Sequence, residues 1–126
     1  MRYIYILFLL MVVSSCQIFE SASKDYTLEE LEILYGEIQE LSESKSCTNS
    51  SEWKFVALGS KPCGGPWKYI AYSSSIDEAK FLEKVKTYNK LQAEDNAKNE
   101  RFSDCMYVSP PSSVVCEAGK PVFQYD

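Results

Sequence analysis

Lys61–Ser73 reads KPCGGPWKYIAYS, and the reading of this stretch sets the organisation of the chain. Pro62 and Pro66 fix φ on either side of Gly64-Gly65, and the glycines can adopt positive φ where other residues cannot. The result is a loop stiff at its shoulders and tightly turned at its tip, with Cys63 as a covalent anchor. From Trp67 the pattern alternates: Trp67, Tyr69, Ala71 and Ser73 share one face, and Lys68, Ile70 and Tyr72 the other. Aromatic and β-branched residues suit a pleated strand. Apolar side chains on both faces predict a central strand covered on both sides. The loop before it has two readings. It is a disulfide-braced turn, or it is also a rigid surface presented to a partner through Lys61, Gly64, Gly65 and Trp67. Trp67, at the start of a strand, suits the core as well as it suits a contact.

Working outward, Glu52–Leu58 (EWKFVAL) alternates with Trp53, Phe55 and Ala57 on one face. It predicts a strand paired with the one after Trp67 through the eight-residue connection Gly59–Pro66. Ser75-Ile76-Asp77-Glu78 has the pattern of a capping box. The helix after it runs to about Arg101, with Phe81, Val85, Tyr88 and Gln92 along one stripe and Lys80, Glu83, Lys84 and Lys86 outward. Beyond Leu91 the apolar stripe fades, which predicts an exposed helix end. Cys105–Val108 reads as a short strand, Ser109–Ser112 as a turn, Ser113–Cys116 as a return strand and Pro121–Tyr125 as an edge strand, where a proline is tolerated. On the amino-terminal side, Thr27-Leu28-Glu29-Glu30 forms a second capping-box pattern. Leu31, Leu34, Ile38 and Leu41 then recur at helical spacing, so a first helix covers Leu28–Glu43 with a solvated acidic face. The expected fold is α+β: a small antiparallel sheet of three to five strands packed with one long helix, plus an amino-terminal helix, in a single domain over residues 27–126.

Cys47, Cys63, Cys105 and Cys116 are an even set in a small domain and predict two disulfides. In a Cys105–Cys116 hairpin the two cysteines fall opposite each other, which favours that bridge and leaves Cys47–Cys63. The long helix also carries Cys105 back towards the CGGP loop, so Cys63–Cys105 stays open. No CxxC pair points to zinc, and no metal or other cofactor is expected.

The first sixteen residues read MRYIYILFLLMVVSSC. Arg2 precedes an apolar run from Tyr3 to Val13, too short for a membrane-spanning helix, which needs about 20 residues, and of the length of a signal-peptide core. Val13-Ser14-Ser15-Cys16 resembles the lipobox of bacterial lipoproteins. The resemblance implies a signal peptide over residues 1–15, cleavage before Cys16, acylation of Cys16, and a lipid anchor and polar tether over residues 16–26. Each buried CH2 of an acyl chain contributes about 0.8 kcal/mol, so several chains hold a domain at a membrane. Gln17 follows the lipidated position, which in such lipoproteins favours the outer membrane where a cell has one. The implied address is the cell envelope, on the extracytoplasmic side.

Charge and composition narrow the function further. Of the 13 basic residues one is Arg2, so the mature chain keeps 12 against 18 acidic, a net charge of −6. Such a balance argues against nucleic acid, whose phosphates reward clustered Lys and Arg, and against an anionic lipid surface beyond the anchor itself. The chain contains no histidine, the commonest general base and metal ligand. Its serines lack an activating imidazole, and the carboxylate neighbours Asp77-Glu78 and the Asp104-Cys105 pair do not face one another on regular elements. No catalytic residue is assigned, and the chain is read as a non-enzyme. KPCGGPW, YIAYS, SDC and the Pro pair before the last cysteine resemble a group of small exported bacterial proteins, over about Cys47 to Cys116. This resemblance implies a disulfide-containing domain and carries over no functional residue. The expected function is a membrane-anchored binding module or inhibitor acting on an envelope or extracellular protein through the braced loop. The alternative is a structural envelope lipoprotein packed against partner subunits.

Overall fold

Thr27 opens the first helix as its sequence context dictates. Its Oγ1 accepts the Glu30 backbone N–H at 3.2 Å, and the Glu30 carboxylate accepts the Thr27 N–H at 2.8 Å, so two orphan donors of the first turn are satisfied reciprocally. The computed structural model describes residues 26–126; the expected signal peptide, Cys16 and nearly all of the expected tether lie outside the described residues. Helix α1 covers Leu28–Glu43, strand β1 Trp53–Leu58, strand β2 Lys68–Ser73, helix α2 Glu78–Lys98, strand β3 Ser113–Glu117 and strand β4 Lys120–Gln124, with a 3-10 turn at Ser50–Glu52.

Strands β1 and β2 pair antiparallel, Trp53 opposite Ser73 and Leu58 opposite Lys68. This ribbon is the middle layer. Leu58 and Tyr72 face the helices and, with Ile38 of α1 and Phe81 and Val85 of α2, form a buried core against which the half-buried Val56 and Ile70 pack. Each fully buried side chain of this size contributes about 1.5–3 kcal/mol relative to an exposed one. Tyr72 stacks on Phe81 with ring centroids 4.7 Å apart, and its hydroxyl donates to Glu78 at 2.9 Å. Burial and the neighbouring Glu78 carboxylate push that phenol up to about 12. The same carboxylate accepts Lys54 Nζ of β1 at 2.8 Å, and these two bonds hold it below its ordinary range. Trp53, Phe55 and Ala71, on the opposite face of the ribbon, pack on Val114, Cys116 and Phe123 of the second ribbon. Phe55 and Phe123 meet edge to face at 6.2 Å.

The two apolar faces of the stretch after Trp67 are thus covered, as its pattern predicts, by helices on one side and a hairpin on the other. The architecture is α+β, but it differs from the expected single sheet. There are two antiparallel ribbons of two strands each, so β2 is central between layers but has only β1 as a sheet neighbour. Cys105–Val108 is not a strand; residues 99–111 have no regular strand or helix. The partner of β3 is β4, with Glu117 opposite Lys120. Ala118 and Gly119 both take positive φ, 48° and 78°, the mirror-image two-residue turn whose twist matches a hairpin. That turn folds β3 forward onto β4, away from Cys105. Helix α2 stops at Lys98, short of Arg101. The Asn99 N–H bonds to the Asp95 carbonyl and the Arg101 N–H to the Asn96 carbonyl, both at 3.0 Å. Glu100 sits in the left-handed region between them (φ 47°), where glycine is the usual helix terminator. At the start of α2 the cap is Asp77, whose carboxylate accepts the Lys80 N–H at 3.1 Å. Ser75 is turned to the Ser73 hydroxyl instead, so the expected capping box is replaced by an aspartate cap.

Both disulfides form, in a pairing other than the favoured one: Cys47 with Cys116 and Cys63 with Cys105. The physical reason is the same hairpin. With Cys116 opposite Pro121, its side chain turns to the buried Cys47, whose own N–H donates to the Gly119 carbonyl at 2.9 Å. Helix α2 delivers Cys105 to the CGGP loop, the geometry that the alternative pairing required.

Candidate functional site

Loop 59–67 is fixed from four directions. Inside the loop the Lys61 N–H donates to the Gly65 carbonyl at 2.8 Å and the Gly64 N–H to the Lys61 carbonyl at 2.9 Å, with Gly64 and Gly65 both at positive φ. From below, α2 holds it with side-chain amides. The Gly59 N–H donates to Asn89 Oδ1 and the Ser60 N–H to Gln92 Oε1, both at 2.6 Å, while Asn96 Nδ2 donates to the Ser60 carbonyl at 2.7 Å. From the side, Cys63 is bonded to Cys105, and the Cys63 N–H reaches Ser103 Oγ at 3.4 Å. The fourth support is Lys61. Its side chain is only 6% exposed, and its ammonium donates to Asp104 Oδ1 at 2.7 Å and to the Met106 carbonyl at 3.0 Å.

Lys61 therefore lies inside the loop, and its charge is not displayed to solvent as the sequence reading supposed. The ammonium sits 5.3 Å from the centroid of the Trp67 ring, a cation–π distance. Asp104 answers with a carboxyl held below its ordinary value, first by the Lys61 bond and then by the Met106 N–H. Trp67 is neither core nor free: it is 43% exposed, and one face lies against Gly59. A Cβ at Gly59 would stand 2.8 Å from Trp67 Cδ1 and 2.9 Å from Gln92 Oε1, so only glycine admits this approach. Gly64 and Gly65 are exposed at the tip, with open space where a Cβ would stand.

Residues 102–107 run beside this loop and carry three side chains left in water: Phe102 at 95%, Tyr107 at 82% and Met106 at 75% exposed. None of the three was singled out by the sequence as a surface residue, because Cys105–Val108 reads as a strand and Phe102 as part of the return to it. Asn89, Gln92 and Asn96 were also missed as a set. Their spacing places them on one helical face, continuing the stripe of Phe81, Val85 and Tyr88 as a polar one, and that continuation was the available signal.

Two open clefts flank the middle ribbon at opposite ends of α1. One, of about 450 Å³, lies between the start of α1 and the end of α2 and is lined by Leu28, Leu31, Tyr35, Trp67, Tyr88 and Arg101 among others. Arg101 is tied there to Asp95, and burial pushes the Tyr88 phenol up. The other, of about 560 Å³, lies between the end of α1 and β4, lined by Ser42, Lys45, Tyr69, Ala71, Lys120 and Phe123 among others. Among the described residues no cluster of three or more histidine, cysteine or carboxylate side chains is arranged to hold a metal ion, and no helix is long and apolar enough to cross a membrane.

No family model matches the chain, and no curated protein or solved structure matches it either.

Proposed function

We propose that the chain is an envelope lipoprotein, anchored by acylation of Cys16 on the extracytoplasmic side, whose domain works as a non-enzymatic binding module through the end that carries loop 59–67. The observation that carries this reading is the way that end is built. A disulfide, three helix amides and a buried lysine hold one loop rigid. The loop contributes no fully buried side chain to either apolar core. Rigidity of this kind lowers the entropy lost when a surface is engaged, and the exposed Trp67, with the exposed Phe102, Met106 and Tyr107 on the segment bonded to the loop, supplies contact area of the type that dominates binding. Disulfides are stable in an oxidising compartment, in keeping with export. Lys61 organises the loop; Trp67, Gly64 and Gly65 present it.

The reading is tested in cells that make the full chain. A palmitate analogue labels the wild type and leaves Cys16→Ala unlabelled. A photoreactive amino acid placed at Trp67 then captures a neighbour that the same group at the outward-facing Glu83 does not. Equal labelling of wild type and Cys16→Ala, or identical captures from the two positions, would overturn it.

A further inference from the structure

We infer that the contact end of the domain docks on the bilayer surface itself, with Trp67, Phe102, Met106 and Tyr107 seated at the boundary between headgroups and acyl chains. This deepens the function proposed above and rests on the anchor assigned there to Cys16.

Exposed large apolar side chains are not spread evenly over the described residues. Tyr26, Leu28, Trp67, Phe102, Met106 and Tyr107 share one end, with Ile33, Val122 and Tyr125 as the remainder. Contacts bring Leu28, Trp67 and the Met106 backbone to this end, and Tyr26, Phe102 and Tyr107 adjoin them along the chain. Leu28, Trp67 and Arg101 line one cleft, and Phe102 follows Arg101. The Met106 carbonyl accepts the Lys61 ammonium that stands over Trp67, and Cys105 is bonded to Cys63. An apolar cluster of this kind on a small domain marks an interaction surface.

The tether says what covers it. Tyr26, the first described residue, belongs to the cluster and lies ten residues after Cys16. Ten residues reach at most about 36 Å. The anchor assigned to Cys16 keeps this end within that reach of the membrane, at high effective concentration.

Charge selects the kind of lipid contact. Of the cations near the cluster, Lys61 is paired with Asp104 and Arg101 with Asp95, and Lys68 donates to the Tyr35 hydroxyl; the mature chain is acidic. Attraction to anionic headgroups is therefore not the driving term, and a neutral interface suffices. Trp and Tyr favour that interface, with the ring in the apolar boundary and the polar atom in hydrated headgroups. The irregular backbone of residues 102–111 limits the depth, because unpaired peptide groups are not tolerated in hydrocarbon. The contact is shallow.

The test uses the full acylated chain in protein-free phosphatidylcholine vesicles, with or without bromine atoms on the acyl chains near the carbonyls. Trp53 is buried in the core and stays unquenched, so the component lost in Trp67→Phe reports position 67. On brominated vesicles that component loses most of its emission, and on plain vesicles it shifts to the blue. A Phe102→Ser/Met106→Ser/Tyr107→Ser variant, altered only at exposed positions, floats with the vesicles but is not quenched. Flotation and the mass of the acylated amino-terminal peptide are read in every sample. Acylated, floating wild type whose Trp67 is unquenched overturns the docking and leaves the anchor standing. Absence of both the acyl mass and flotation removes the anchor and the docking with it. A Trp67 unquenched on pure lipid yet shielded in native envelopes, or in a dimer of the chain, assigns the surface to a protein and also overturns the proposal.

Discussion

The bridges Cys47–Cys116 and Cys63–Cys105 span 69 and 42 residues, with Cα separations of 5.2 and 5.4 Å. Loop-closure entropy in the unfolded chain makes them nearly equal, about 4 kcal/mol each on the chain-entropy account. Their folded surroundings are unlike. Cys47 is buried among Trp53 and Val114 where the hairpin β3–β4 closes on the middle ribbon, whereas Cys63 and Cys105 are both exposed and join a loop to a segment without regular structure. The first bridge belongs to the core, and the second belongs to the end that carries loop 59–67. The same covalent bond serves packing in one place and shape in the other, and only its surroundings distinguish the two roles.

Breaking the buried bridge has the largest expected effect. Cys47→Ala/Cys116→Ala loses both the closure term and the sulfur packing, and denaturant unfolding of this variant shows a loss of about 4–5 kcal/mol. A loss under about 1 kcal/mol would mean that the hairpin holds its place without the bond.

Breaking the exposed bridge has a smaller effect despite similar entropy. In Cys63→Ser/Cys105→Ser, residues 99–111 loosen in the folded state and recover part of the freedom that the bond had removed. The expected loss is about 2 kcal/mol. Amide exchange speeds up in residues 61–67 and 99–111 and stays unchanged in α1 and in Phe81–Val85 of α2. Faster exchange throughout the domain would instead make this bridge part of the core.

The smallest effect comes from acid. Asp104 titrates below its ordinary 3.8 because Lys61 and the Met106 N–H favour the carboxylate. Its contribution is present in full above the ordinary aspartate value and is lost as pH falls through the lowered one. An NMR titration places the Asp104 midpoint below the ordinary aspartate value. Lys61→Met narrows that difference, leaving the part due to the Met106 N–H, and unchanged titration in this variant would show that Lys61 does not lower it.

Much of the architecture was legible because it is local. The Thr27/Glu30 box and the apolar spacing of Leu31 and Ile38 are sufficient to set α1, and the alternation from Trp53 and from Trp67 is sufficient to set β1 and β2, since capping and side-chain periodicity depend on residues a few positions apart. The stiffness of the CGGP loop follows equally from its own prolines and glycines. Tertiary structure decided what depends on distant neighbours. The pairing of Cys116 with Cys47 turned on the Ala118-Gly119 hairpin, and an alanine gives no warning of positive φ. The Cys105 segment was kept from the sheet by its bond to the loop, which left Phe102 and Tyr107 in water where their β-propensity predicts burial. Lys61 reads from sequence as a surface charge because lysine is seldom buried. It is buried here because Asp104 and the Met106 carbonyl, more than forty residues away, meet its ammonium as it leaves water, and no spacing within KPCGGPW records that meeting.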